Sequence, residues 1–94
     1  MKVEYSKRAT ADLQKVSADS RVFGKAVSAS LENYIRSTVA NIGRYPQAAP
    51  QVAERPSVHV TPLVRYPYKI IYRILKDRVR ILHIRHTSRQ PWSG

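Results

Sequence analysis

The side chains best suited to chemistry lie close together near the end of the chain. The segment "RILHIRHTSRQPW", residues 80–92, combines arginines with two histidines and a tryptophan. Imidazole is the side chain whose ordinary pKa lies nearest neutrality, so His83 and His86 are the candidates for proton transfer. Arginine and lysine stabilise phosphate charge. These residue types suit one reaction, the cleavage of RNA by its own 2′-hydroxyl, with the predicted catalytic set Lys69, Arg73, His83 and Arg89.

A second hypothesis assigns the same surface to binding alone. Surfaces that meet nucleic acids combine cations with aromatic rings on which bases stack, and Tyr66 and Trp92 are expected to border the basic patch. A solvated sheet face whose arginines lie flat is the alternative without function. The predicted target-binding set is Arg65, Lys69, Arg73, Arg85, His86, Arg89 and Trp92.

Charge is the most informative feature of the composition. The 94 residues carry a formal net charge of +11, with +4 in residues 1–47 and +7 in residues 48–94. Such a surface suits phosphates or an acidic protein, although it also serves solubility. With no cysteine, three glycines and six acids, the chain offers no thiol chemistry, glycine phosphate loop or acid pair. His59, His83 and His86 alone do not indicate a metal site, and no cofactor is expected.

Periodicity predicts a single α+β domain of order β-α-α-β-β-β, with a two-helix hairpin on one face of an antiparallel sheet. Residues 1–43 form a strand and the hairpin, 44–56 a connector, and 57–94 the remaining strands and a basic tail. Ser6 is the predicted cap of the first helix, and Gly43 is the predicted stop of the second. The packing stripe of the second helix is read as Phe23, Val27, Leu31, Ile35, Val39 and Ile42.

Alternation in "YKIIYRIL", residues 68–75, turns Tyr68, Ile70, Tyr72 and Ile74 toward the helices. A three-residue loop at Lys76, Asp77 and Arg78 is favoured for the last hairpin, since it buries more apolar surface. Leu82 and Ile84 then join the core, and His83 and Arg85 lie with Lys69 on the open face. A two-residue turn would reverse this assignment.

The segment "VRYPYKIIYRILKDRVRILHIRHTSRQPW" resembles the C-terminal half of toxins in the RelE/ParE superfamily of bacterial toxin-antitoxin systems. Its features are an aromatic-Pro-Tyr start, an Ile-Ile-Tyr-Arg strand, a short charged turn, an Ile-Leu strand and then His-x-x-Arg. The upstream "YSKRATADL", a long helix and the "YPQAAP" connector fit as well. The resemblance implies the same β-α-α-β-β-β fold.

The resemblance also implies two possible activities. RelE-like members cleave mRNA on the ribosome; by position Lys69 stands at their strand arginine and Arg89 at their late arginine, while their C-terminal tyrosine has no counterpart beyond Trp92. ParE-like members inhibit DNA gyrase, and the close of His, two residues and Arg is more similar to theirs. The ParE-like activity is therefore favoured, with ribosome-dependent RNA cleavage and a plain basic nucleic-acid-binding module as alternatives.

Both branches imply a cognate antitoxin, an acidic or amphipathic segment that folds as it wraps the toxin, binding the groove between the helices and the sheet edge. A cytoplasmic location is expected, because no apolar run approaches the ~18 residues of a membrane span and the N-terminus does not resemble a secretory signal.

Overall fold

The computed structural model describes residues 1–52 and 55–87, without the side chains of Val52 and Pro56. The predicted site residues Arg89 and Trp92 lie outside the described residues. The elements in chain order are β1 Lys2–Tyr5, α1 Lys7–Ser20, a 3-10 segment Arg21–Phe23, α2 Lys25–Arg44, β2 Gln51–Val52, β3 Arg55–Pro62, β4 Tyr68–Ile74 and β5 Arg78–His86.

The strands form one sheet in the order β1-β5-β4-β3-β2. The predicted α+β class and the antiparallel meander β3-β4-β5 are confirmed. The sheet is mixed rather than wholly antiparallel, because β1 pairs with β5 in parallel. The predicted connector also contains β2, a two-residue strand that pairs with β3. The sequence did not predict this strand, because the connector is rich in proline.

The helices pack on one face of the sheet through apolar stripes. The Ser6 hydroxyl caps α1 as predicted, accepting the Ala9 N–H at 3.0 Å. Leu31, Ile35, Val39 and Ile42 form the buried stripe of α2. Within the described chain, neither helix combines the length and apolar character that crossing a membrane requires.

The start of α2 differs from the prediction. Phe23 lies in the 3-10 segment with 71% of its surface exposed, and Val27 is 40% exposed. Gly24 adopts φ 103°, a left-handed conformation that suits glycine and redirects the chain before α2 begins. The helical spacing of apolar residues therefore extends back to Phe23, although α2 itself begins only at Lys25.

The prediction that Gly43 ends α2 is wrong. Gly43 lies buried within the helix, which continues to Arg44. A Cβ at this position would stand 2.8 Å from Val3 Cγ2 and 3.1 Å from the Met1 carbonyl oxygen. The Met1 ammonium donates to the Gly43 carbonyl at 2.8 Å. Glycine is needed here because β1 passes directly against the helix.

The last hairpin differs from the favoured register near its turn. The Leu75 N–H donates to the Arg78 carbonyl at 2.8 Å, so only Lys76 and Asp77 form the tip and Arg78 belongs to β5. Ile81 is therefore the residue that pairs with Tyr72 in the core, and the prediction for Leu82 is wrong.

A β-bulge then restores the predicted arrangement farther along. Ile71 pairs with His83 and Tyr72 with Ile81, which leaves Leu82 as the extra residue. One extra residue reverses the alternation. His83 and Arg85 consequently lie on the open face as predicted, although the turn has two residues.

Candidate target-binding surface

The face of the sheet opposite the helices, here called the outer face, carries a row of basic side chains. Ile70, Tyr72 and Ile84 belong to the core beneath the helices, so their neighbours along each strand point the other way. The cross-strand partners there are Lys69 with Arg85, Ile71 with His83, and Arg73 with Arg80. The structure thus brings together four predicted site residues: Lys69, Arg73, His83 and Arg85.

Two of these partnerships set like charges directly opposite each other, an arrangement that destabilises a sheet. Arg80 has a counterion, because its Nε lies 2.8 Å from Glu4 Oε1. Glu4 also accepts from Arg78 Nε at 2.8 Å, and these two hydrogen bonds lower the pKa of its carboxyl. Among the described residues, Lys69 and Arg85 have no carboxylate within ion-pair distance. The outer face is therefore neutralised at the β1 end and left positive at the other end.

Two arginines of the outer face have a shielded side-chain donor. Nε of both Arg73 and Arg85 is shielded from solvent and has no hydrogen-bond partner in the described part of the chain. Val58 and Ile71, on the same face, are completely buried. A shielded donor without a partner costs about 1–3 kcal/mol. An anionic group that accepted from these two donors would remove that cost.

His83 lies between the outer face and α1. Its Nδ1 is 3.7 Å from Asp12 Oδ2. Burial, followed by the charge of Arg85, lowers the pKa of the imidazole, and the nearby Asp12 opposes this shift less strongly. His83 is consequently neutral at neutral pH and able to accept a proton.

Asp12 is the residue of this region that sequence reasoning missed. Its carboxylate accepts the Ile84 N–H at 3.1 Å and lies 4.0 Å from Arg8 Nε. It thereby ties α1 to the part of β5 that carries His83 and Arg85. The available signal was its spacing, since Asp12 falls three residues after Ala9 and four before Val16, on the buried stripe of α1.

Three other predicted residues lie away from the outer face. His86 pairs with Tyr68 on the helix-covered side, with ring centroids 5.2 Å apart. Tyr66 packs edge-on against Tyr34 of α2 at 5.6 Å and does not border the basic patch. Arg65 lines a cavity of about 520 Å³ with Asn33 and other polar residues of α2.

Comparisons with solved structures show the same fold in several bacterial toxins. A chain of the chromosomal ParDE toxin-antitoxin system of P. aeruginosa superposes with a TM-score of 0.82 at 23% identity, covering 94% of this chain and 97% of that one. The isolated E. coli RelE toxin gives 0.67 at 15% identity, covering 95% and 86%. A YoeB/ParE toxin from Agrobacterium tumefaciens gives 0.66 at 16% identity, covering 92% and 98%.

No curated protein sequence matches this chain. A family model does, over residues 3–91, and it describes the ParE toxin of the type II parDE toxin-antitoxin system. The match includes both helices, the sheet from Val3 onward and the basic outer face. The chain therefore belongs to the ParE toxin family of type II toxin-antitoxin systems, within the fold it shares with RelE.

Proposed function

We propose that this toxin inhibits DNA gyrase by binding it through the positive end of the outer face. The observation that carries the proposal is the cross-strand pair Lys69 and Arg85, two cations held opposite each other with no carboxylate of the described residues within ion-pair distance. Arg73 lies four residues farther along β4 on the same face, opposite Arg80, and we call these three residues together the cation cluster. Membership of the ParE family supports gyrase as the target.

The cation cluster suits an anionic partner for physical reasons. A carboxylate or phosphate between Lys69 and Arg85 removes their repulsion, and a guanidinium can bind such a group through two parallel N–H donors. The shielded Nε atoms of Arg73 and Arg85 are donors that such a partner would satisfy. In this proposal the toxin inhibits gyrase by binding alone, without a chemical step. It acts in the cytoplasm, where gyrase and DNA are found.

The other predicted contacts extend this surface. Arg65 and His86 lie on the helix-covered side and would contact only a partner that reaches around the sheet. Arg89 and Trp92 remain predicted contacts. Deletion of residues 86–94 is expected to abolish toxicity while the core stays folded, and retained toxicity would restrict the site to the cation cluster.

Inhibition of supercoiling by purified gyrase tests the proposal. The double variant Lys69→Gln/Arg85→Gln is expected to lose at least about tenfold in potency, since buried charge contacts at an interface contribute a few kcal/mol. Lys2→Gln/Arg78→Gln is the matched control, because it removes two charges from the end of the same face that Glu4 already neutralises. Equal loss in both variants would instead indicate a general basic module whose binding weakens steeply with salt.

One observation favours ribosome-dependent RNA cleavage as the second candidate. His83 is neutral at neutral pH and shares the outer face with Lys69 and Arg73, so a proton acceptor lies beside possible phosphate ligands. In that case His83→Gln should slow cleavage far more than it weakens ribosome binding, and Arg89→Ala should behave likewise. Under the gyrase proposal, His83→Gln leaves supercoiling inhibition nearly unchanged.

A reporter of DNA damage separates the two candidates in bacteria. Brief induction of the toxin should activate the reporter if gyrase is trapped on DNA, and co-expressed antitoxin should suppress the signal. Growth arrest without the signal would support RNA cleavage.

A further inference from the structure

An exposed stripe of α2 forms hydrogen bonds without carrying charge. Ser30, Asn33, Ser37 and Asn41 recur at helical spacing, and all four residues are exposed. In this chain 24% of the residues are charged, and the solvent-facing surface of a helix ordinarily holds many of them. Amides and hydroxyls both donate and accept hydrogen bonds. The stripe is therefore suited to a ligand whose edge presents neutral donors and acceptors.

The stripe lines the polar cavity of about 520 Å³ that also contains Arg65. Arg65 and Tyr66, from the loop between β3 and β4, form the side of this cavity that α2 does not. Arg65 is exposed, and in the described part of the chain no carboxylate lies within ion-pair distance of it. The cavity thus offers an available guanidinium, a group that binds phosphate through two parallel N–H donors.

A second cavity, of about 410 Å³, adjoins the polar one. Both cavities are lined by Tyr34, Thr38 and Asn41, so these residues form the ridge between two compartments. Apolar side chains, among them Pro62 and Val64, wall much of the second compartment. We call the two cavities together the α2 site.

The apolar compartment offers ring surface rather than free hydroxyl donors. The Thr38 hydroxyl already donates to the Tyr34 carbonyl at 2.8 Å, and the Tyr72 hydroxyl to the Pro46 carbonyl at 2.6 Å. Tyr45 lines the same compartment, is 67% exposed and stacks on no aromatic ring of the described residues. A ligand that fills both compartments is therefore a planar ring at one end and an anion at the other.

We propose that the α2 site binds a nucleotide, with its base stacked on Tyr45 and its phosphate held by Arg65. The amides of Asn33 and Asn41 supply the donors and acceptors that a base edge and sugar hydroxyls require. Each cavity falls within the roughly 300–1,000 Å³ that small-molecule sites occupy. The proposal gives Arg65 a role on the side of the sheet that the cation cluster does not reach, and it does not depend on gyrase being the target.

Calorimetry of the purified toxin with AMP, adenosine and inorganic phosphate tests the proposal. AMP should bind at least about tenfold more tightly than adenosine or phosphate, because linking base and phosphate makes the second contact intramolecular. Arg65→Gln should weaken AMP binding by about tenfold and leave adenosine binding unchanged, since only the phosphate contact is lost. Tyr45→Ala should weaken binding of both by about tenfold, the value of one stacked base.

Two control variants remove the same groups elsewhere. Lys76→Gln removes an exposed cation at the tip of the last hairpin, and Phe23→Ala removes a ring that is 71% exposed in the 3-10 segment. Both should bind AMP as the parent toxin does. All four variants change exposed side chains and should unfold at the temperature of the parent.

A short strand of deoxyadenosine distinguishes a free nucleotide from one within a strand. Tighter binding of the strand than of AMP, weakened by Tyr45→Ala, assigns the site to single-stranded nucleic acid, whereas equal affinity assigns it to a free nucleotide. The proposal is overturned if phosphate binds as tightly as AMP, if Lys76→Gln weakens AMP binding as much as Arg65→Gln, or if Tyr45→Ala changes nothing. Because these measurements use the toxin alone, they hold even if supercoiling is not inhibited.

Discussion

The two faces of the sheet are built under opposite physical rules. On the helix-covered face, buried polar groups have partners: the Tyr72 hydroxyl donates to the Pro46 carbonyl at 2.6 Å, and His59 Nδ1 donates to the Ala49 carbonyl at 2.8 Å. On the outer face, Lys69 opposes Arg85 and two guanidinium Nε atoms have no partner in the described chain. The comparison teaches that one face is built for stability, whereas the other carries unfavourable contacts, which the proposed binding function would account for.

The largest expected effect lies on the helix-covered face. Tyr72 is fully buried, stacks on His59 at 5.3 Å and holds the connector through Pro46. Tyr72→Ala should lower the free energy of unfolding by about 3–5 kcal/mol, measured by urea denaturation. Tyr72→Phe should lose only about 1 kcal/mol, the value of one hydrogen bond. Equal losses would mean that packing at Tyr72 contributes little and would break the contrast between the faces.

Gly43→Ala tests how tightly the helix-covered side is packed. Alanine favours a helix by about 1 kcal/mol over glycine, but its Cβ would meet Val3 Cγ2 at 2.8 Å. We expect a net loss of about 1–2 kcal/mol in thermal unfolding. The double variant Gly43→Ala/Val3→Ala should recover part of the loss that the close contact causes, and a stabilised single variant would contradict this account.

Removing the charged side chain of Arg73 from the outer face should raise the free energy of unfolding, whereas the substitutions on the helix-covered face should lower it. Arg73→Met keeps an apolar stem over the sheet and removes both an unpartnered Nε and the repulsion from Arg80. We expect a gain of about 1 kcal/mol in unfolding free energy together with weaker gyrase inhibition. Arg80→Met is the control and should show no gain, because Arg80 bonds Glu4. Destabilisation by Arg73→Met would show that the outer face is also optimised for stability.

The smallest effect is a pH dependence at the boundary between the faces. Burial lowers the pKa of His83 below its ordinary value of 6.5. The unfolded chain therefore binds this proton more readily, so the contribution of His83 to stability is present above pH 6.5 and is lost as the pH falls through the lowered pKa. His83→Gln should flatten the unfolding free energy measured between neutral pH and pH 5, and an unchanged slope would assign the dependence to other groups.

The sequence predicted the helix-covered face well, because alternation and helical period report burial directly. Ile70, Tyr72 and the α2 stripe from Leu31 to Ile42 are where those patterns place them. It failed where geometry breaks the period. The bulge at Leu82 cannot be recognised from the sequence, because Leu82 directly follows another apolar residue. The change of chain direction at Gly24, just before α2, falls between apolar residues that keep a helical spacing.

The candidate target-binding surface could be predicted from the sequence in its residue types but not in which residues lie together. Charge density indicated Lys69, Arg73 and Arg85, and the register placed them on one face. The side on which His86 and Tyr66 lie depends on which partner each residue meets across the fold, which no local pattern specifies. Glu4 pairs with Arg78 and Arg80, which lie more than seventy positions away along the chain. No local sequence pattern could predict this pairing, because it depends on how β1 meets β5 in the fold.

The bonds from Ser6 and Asp12 to the β5 edge have a consequence for a toxin molecule that has no antitoxin bound. An open strand edge is a template for self-association, and a sheet with a free edge can grow by adding copies of itself. Here the exposed half of β5 has its Leu82 carbonyl and Ile84 N–H already bonded to side chains of the N-terminal helix region. Pairing of two toxin molecules through this half of the β5 edge is therefore disfavoured, because it would first have to break these bonds.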